Sequence, residues 1–343
     1  AVEKCKTAGI KTVMITGEKM KIRKILCGIL AGVLICTGNP VISQGKVQAQ
    51  LQVVRSKTMT VTLEASGGRM VKKASVAGTV TLPSDRNGSD YTFLGWSTKR
   101  GQTRNPQYQA YETIKVTRNM HLYPVRYRWS QEPDINVKNL AANLDQYSRI
   151  IFVGDSRTVM MGQTLIGQYQ NSVSDKVSFI CKGRQGLAWM KETAEESLTK
   201  ALKAAEAEEG ATAVVFNLGV NDLIHRRGTE FDYQKKASEY ITYMKNLAKQ
   251  LSGFNCQLFY MSVNPVNTAM KHTRKESEVR GFNEALQKGL GDRYTWIDTY
   301  SYLMKFGYTT HNEFRGGLDD GIHYSMKTYK RIYSLVMKNL KKS

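Results

Sequence analysis

Five short apolar runs recur through the second half of the chain, at 149–153, 177–181, 212–218, 256–263 and 294–298. Each is nearly continuous rather than alternating, the pattern of a strand covered on both faces in a parallel sheet. Between them lie stretches dense in helix formers, at 188–209, 233–251 and 275–290, and a last one follows at 326–342. A strand–helix–strand order leaves few topologies open, because crossovers between parallel strands are right-handed and the helices must cover both faces. The expectation is an α/β fold: a three-layer α/β/α sandwich around a mostly parallel five-stranded sheet. In such sheets sites lie beyond the carboxyl ends of the strands. With the strand order 2-1-3-4-5, Cys181 and Cys256 flank strands 2 and 4, which are not neighbours, so no disulfide is expected. Both cysteines read as small buried apolar residues.

Three polar clusters fall at those strand ends or in loops. Gly154-Asp155-Ser156 follows the first run, Gly219-Val220-Asn221-Asp222 ends the third, and Asp320-Gly321-Ile322-His323 precedes the last helix. A serine hydroxyl attacks an acyl carbon only when a base takes its proton. His323 is the candidate base, and an aspartate beside it can fix its tautomer and stabilise the imidazolium. Asp320 and Asp319 are both near. His121 lies in the β-rich part of the chain, and His272 and His311 have no such preceding aspartate. A tetrahedral intermediate also needs donors aimed at its oxygen. The Ser156 N–H, a glycine N–H from Lys182-Gly183-Arg184-Gln185-Gly186 and the Asn221 amide are in place for that. Asp155 is expected to bond locally and hold the turn. Arg157, Trp189 and His225 are candidates to contact substrate. No His-x-x-x-His, paired-cysteine or Walker-type glycine motif is found, so no metal and no cofactor is expected.

These blocks, in this order, resemble the SGNH (GDSL-type) hydrolases over residues 148–343. The resemblance implies a flavodoxin-like SGNH fold, and its Asp-x-x-His spacing selects Asp320 over Asp319. It also selects Gly186 over Gly183 for the oxyanion hole. It further implies a serine esterase of acylated glycans, lipids or thioesters, working through an acyl-enzyme.

The first part of the chain has a different texture. Met20-Lys21-Ile22-Arg23-Lys24 and the apolar run 25–36 have the charge and length of a secretory signal peptide, too short to span a bilayer, so 20–49 is read as a leader. Uncleaved, it would be the chain's only membrane contact. Residues 8–18 resemble a segment of P-type ATPase phosphorylation domains, but nothing else of such a pump follows. Residues 1–19 are therefore read as a gene-call or fusion artefact ahead of a start at Met20. From 57 to 128 short β-prone runs alternate with turn signals such as Gly67-Gly68 and Asn87-Gly88. The Gly-Gly turn, Phe93-Leu94-Gly95-Trp96 and the strand at 121–127 resemble one internalin-type B repeat, a β-grasp-like module of surface proteins, with Pro124 as a departure. Trp96 reads as core rather than as a carbohydrate platform, and the module as a spacer or adhesive element. Residues 129–147, polar and rich in Asn and Asp, read as a linker entering a short helix.

The formal charge of +21 is spread out: residues 1–49 carry eight basic and two acidic side chains, residues 50–147 fourteen and seven. Without a basic stripe or aromatic platform, no nucleic-acid partner is expected. A diffuse positive surface suits an anionic cell envelope. Together these features describe a secreted or cell-surface serine esterase whose partner is an acylated carbohydrate or cell-wall polymer, chiefly an O-acetyl ester. The alternatives are an O-acyltransferase acting on glycans and a non-catalytic carbohydrate-binding adhesin. Ser156→Ala separates the last from both enzymes, since binding survives the change.

Overall fold

The computed structural model describes residues 58–342, except 76, 87, 89, 170–172, 227–230 and 272. The leader at 20–49, the segment 1–19, residue 57 of the repeat and Asn87 of its second turn lie outside the described residues. Among the described residues no helix is long and apolar enough to cross a membrane.

The main sheet has five strands: β7 (Tyr147–Gly154), β8 (Val177–Cys181), β9 (Ala211–Asn217), β10 (Cys256–Met261) and β11 (Thr295–Ile297). All pairings are parallel, in the order β8-β7-β9-β10-β11. That is 2-1-3-4-5, as expected. Ile150, Ile151, Phe152 and Val153 are all at most 1% exposed, which explains why the runs do not alternate: both faces of β7 are core. The helices are α1 (Ser156–Tyr169), α2 (Glu195–Ala205), α3 (Tyr233–Gln250), α4 (Glu276–Leu290), α5 (Thr299–Phe306) and α6 (Met326–Leu340). Helices α1 and α6 pack together, as do α3 and α4. Asp232 caps α3 and Ser325 caps α6, each accepting a backbone N–H of the first turn.

Two local expectations fail. The helix foreseen from residue 188 is broken: Leu187–Trp189 is a single turn, Met190–Ala194 is a π-turn, and regular helix resumes at Glu195. Helix α5 was not foreseen, because its aromatic, β-prone sequence hides a start fixed by Asp298, whose carboxylate accepts the Ser301 N–H at 2.9 Å. Cys181 and Cys256 are free and only partly buried.

The repeat module contains β1 (Thr58–Ala65), β2 (Gly68–Ser75), β4 (Tyr91–Ser97) and β6 (Met120–Arg128) in the order β2-β1-β6-β4, with a small ribbon of β3 (Thr79–Thr81) and β5 (Thr113–Lys115). Pro124 is tolerated within β6 because pairing to β1 covers only 120–122, and the β4 side is bulged between Phe93 and Gly95. Trp96 is fully buried, edge-on to Phe93, and its indole N–H donates to the Pro83 carbonyl at 2.7 Å.

Every residue of β4 is buried, because its two faces serve two cores. Tyr91, Phe93 and Trp96 face the module's own core, whereas Leu94, with Val125 and Tyr127 of β6, joins the core of the α/β domain. Residues 129–146 hold a 3-10 turn at Trp129–Gln131, and two turns replace the expected short helix. The Asn136 side chain, accepting the Lys138 N–H at 2.9 Å, offers the backbone a turn instead of a helix. Within this stretch Glu132, 5% exposed, forms an ion pair with the equally buried Arg331 of α6 at 2.6 Å and accepts from the hydroxyls of Thr309 and Thr328.

Candidate active site

The strand register sets three loops level with one another. Gly154 is in register with Cys181 on one side and Asn217 on the other. Each strand therefore ends at the same height, delivering Ser156, the 182–186 loop and the 219–222 turn to one edge. Gly154 must be glycine, since a Cβ would lie 2.6 Å from the Asn217 carbonyl and overlap the Thr158 side chain.

Ser156 opens α1, half-buried. Its Oγ lies 2.8 Å from His323 Nε2, and His323 Nδ1 lies 2.7 Å from Asp320 Oδ2. The second oxygen, Oδ1, accepts the backbone N–H groups of both Ile322 and His323 at 2.9 Å. Burial would raise the Asp320 carboxyl, but the hydrogen bonds from the His323 ring and backbone outweigh it and hold the group well below the usual carboxylate range. Arg315, exposed, adds a bond to Oδ2 at 3.1 Å. Asp319 is turned away: it accepts from the Asn267 amide at 3.0 Å and from the Gly321 N–H at 2.7 Å.

Asp155 is buried and its Oδ1 accepts the Arg157 N–H at 2.9 Å, holding the turn. Burial pushes its carboxyl up to about 6, against the pull of the Arg157 guanidinium.

Asn221 faces the same edge. Its amide nitrogen donates to the Gln185 carbonyl at 2.8 Å, and its oxygen accepts from Arg274 Nη2 at 3.3 Å. Arg274, 4% exposed, also donates from Nε to the Val220 carbonyl at 2.7 Å, and burial lowers its guanidinium to about 10. Asp222 supports the 182–187 loop from beneath. It accepts the Leu187 N–H at 3.2 Å and the Tyr240 hydroxyl at 2.5 Å, and burial raises its carboxyl. The carboxylate leaves no room at Gly186, where a Cβ would stand 2.6 Å from Oδ1 and closer still to Oδ2. At Gly183 a Cβ would touch only the Ser156 Cβ, at 4.0 Å. Arg184, between them, holds a left-handed φ of 63°, the kind of strained backbone that concentrates at functional loops.

Two expected substrate contacts are corrected. Arg157 is 1% exposed and cannot meet a substrate. Its guanidinium is used up on three carbonyls, Ile322 at 2.9 Å, Asn264 at 2.7 Å and Pro265 at 2.8 Å, and it lies over the Tyr324 ring. It ties the start of α1 to the histidine loop. Trp189 is 7% exposed and belongs to the main core, the single turn at 187–189 directing it inward. His225 is partly exposed, with its ring paired to Glu278 and packed against Phe231, and its backbone N–H donates to the Thr273 carbonyl at 2.7 Å. Two supports, Asp222 and Arg274, were missed. Asp222 adjoins Asn221 in the quoted motif, whereas nothing local marks Arg274. Among the described residues no group of three or more His, Cys, Asp or Glu side chains is placed to hold a metal.

The family model of GDSL-like lipases and acylhydrolases matches residues 150–336, more than half of the chain, and the Listeria-Bacteroides repeat domain matches residues 60–125. No curated protein matches. Among solved structures, a lipase/acylhydrolase from Enterococcus faecalis is 15% identical, covering 57% of this chain and 96% of its own, with a TM-score of 0.39. A GDSL-like lipase from Bacteroides thetaiotaomicron is 14% identical over 60% of this chain and 94% of its own, TM-score 0.39. The C-terminal catalytic domain of a Streptococcus pneumoniae peptidoglycan O-acetyltransferase is 12% identical over 57% and 96%, TM-score 0.37.

Proposed function

The chain belongs to the GDSL-like lipase/acylhydrolase family, and from that premise we propose that it is a secreted or surface-held serine esterase. It removes O-acyl groups, chiefly O-acetyl, from carbohydrate or cell-wall polymers. The observation that carries this reading is the hydrogen-bonded chain from Ser156 through His323 to Asp320.

Ser156 Oγ attacks the ester carbonyl while His323 Nε2 takes its proton. Asp320, ionised at any physiological pH, holds the Nδ1–H and stabilises the imidazolium. The tetrahedral oxygen is met by the Ser156 N–H, the Gly186 N–H and the Asn221 amide, whose second hydrogen is not needed for Gln185. His323 then protonates the leaving alcohol, and the acyl-enzyme is hydrolysed by a water that His323 deprotonates. Gly183 is exposed beside the serine, and the exposed Lys182 and Arg184 flank it. An open, basic rim suits a small acyl group carried on a polymer, and it favours an anionic polymer over a neutral one.

Acetate release from p-nitrophenyl acetate, O-acetylated peptidoglycan and O-acetylated xylan, with Ser156→Ala alongside, tests the reading. Release by the wild-type protein and its loss in the variant, by about 10³-fold or more, is expected. Binding of the polymer with no release by the folded wild type would refute the hydrolase reading. Acetyl groups appearing on an added glycan acceptor, instead of free acetate, would replace hydrolysis with transfer.

A further inference from the structure

The loop that follows β10, residues 262–271, touches both the repeat module and the histidine loop. On the catalytic side the contacts are specific. The Asn267 N–H donates to the Gly321 carbonyl at 2.9 Å, and its side-chain amide donates to Asp319 at 3.0 Å and to the Thr310 hydroxyl at 3.2 Å. Gly321, between Asp320 and His323, has a φ of 71° and sits so close to this loop that a Cβ would lie 2.8 Å from the Asn267 carbonyl and 3.1 Å from the Met270 Cβ. The carbonyls of Asn264 and Pro265 hold Arg157, next to the serine. One loop therefore braces both Ser156 and His323.

On the module side the same loop is buried and hydrogen-bonded. Among the described residues, Ala269, 6% exposed, is the only one from outside the repeat in the module's own core. Thr268, 2% exposed, accepts from the Ser84 hydroxyl at 3.0 Å. Ser84 is itself fixed, since Trp96 bonds to Pro83 and the neighbouring Asp85, fully buried, is held by Arg126 at 2.8 Å and by Ser66 at 2.9 Å. Further bonds seat the module on α4 and α5: Gln109 to the Tyr300 hydroxyl at 2.5 Å, the Asn105 N–H to the Met304 carbonyl at 3.0 Å, and the Ser277 hydroxyl to the Tyr111 carbonyl at 3.3 Å.

We propose that the repeat module is a positioning element for the reaction, acting through Ser84, Thr268 and Ala269 on the loop that braces Gly321 and so on the placing of His323 and Asp320. The proposal rests on the esterase reading for its kinetic consequence but not for its geometry. Positioning of this kind governs how often the serine–histidine bond is formed in the productive arrangement, and small displacements are costly. Ground-state binding at the open rim is untouched. A spacer or an adhesive module, by contrast, has no reason to place an alanine of the catalytic domain inside its own core.

The test uses the full chain with Ser84→Ala, Thr268→Val, and Ala269→Met, whose longer side chain forces the two surfaces apart. Arg69→Ala, exposed on β2 of the same module, is the control. Two readouts are taken on protein shown to be folded by near-ultraviolet circular dichroism. The first is kcat and KM for p-nitrophenyl acetate across pH. The second is the downfield proton resonance of the His323 Nδ1–H, which needs no turnover. Ala269→Met is expected to lower kcat about ten-fold with KM little changed at each pH, and to shift or broaden the resonance. The two conservative variants are expected to do the same more weakly. Wild-type kcat and an unmoved resonance in folded Ala269→Met and Thr268→Val would overturn the proposal. If the wild-type protein hydrolyses no ester, the functional reading fails, and the resonance alone then decides whether the module positions His323.

Discussion

Glu276, at the start of α4, gives a prediction whose size follows from its surroundings. It is 3% exposed, and one carboxyl oxygen accepts the Val266 N–H at 3.0 Å. Burial pushes the group up from an ordinary 4.5 to about 7; the Val266 and Tyr300 hydrogen bonds and the Arg157 and Arg280 charges offset this only in part. A raised carboxyl favours the folded state while it is protonated in both states, so this contribution is intact below 4.5 and is lost as pH rises through about 7. At 1.36 kcal/mol per pH unit the full loss is about 3 kcal/mol. Glu276→Gln keeps the shape and the acceptor for Val266 but cannot ionise. Its stability relative to wild type should therefore grow by about 2 kcal/mol between about pH 5.5 and about pH 8.5. Urea unfolding of both proteins across that range measures it. Asp155, Asp222 and Asp319, also raised by burial, are common to both proteins and cancel in the difference. A difference that stays flat with pH would refute the reasoning, because it would mean that Glu276 is already ionised in the folded protein at low pH.

Gly186→Ala should lower kcat/KM by about 10²-fold, the cost of misplacing one oxyanion donor, because its Cβ overlaps Asp222; Gly183→Ala, with no such overlap, should stay close to wild type, and steady-state assays of the pair decide whether Asp222 fixes the loop. Arg331→Met strands the buried Glu132 carboxylate and should cost about 3–5 kcal/mol in urea unfolding, with a smaller loss on replacing both partners by apolar residues.

The sheet could be foreseen because buried parallel strands are written as uninterrupted apolar runs, and the order of the site blocks along the chain matched the strand ends that carry them. Ser156, His323, Asp320 and Asn221 could be placed for the same reason: each stands in a loop directly after an apolar run or before a helix. The errors have one physical origin. Arg157 neighbours the serine in sequence, but its partners are carbonyls at 264, 265 and 322, and no local pattern reports a charge satisfied across such separations. Trp189 follows the oxyanion loop, and only the geometry of the 187–194 turns decides that it points inward. Asp222 and Arg274 act on neighbouring loops rather than on their own. The two cores served by β4 were equally hidden, since a strand buried on both faces reads the same whichever partner covers it.

The Glu132–Arg331 pair also orders events in time. Arg331 is 199 residues further along the chain, so at ordinary elongation rates a ribosome delivers it on the order of 10–40 s after Glu132. The hydroxyls that complete the pocket, Thr309 and Thr328, come almost as late. The strands of the repeat are all available early, but the side of β4 and β6 bearing Leu94, Val125 and Tyr127 has no cover until the α/β domain closes. A nascent chain of this protein thus carries a half-wrapped sheet and a carboxylate awaiting its cation through most of its synthesis. Until that closure, Leu94, Val125 and Tyr127 form an apolar surface open to a holding chaperone.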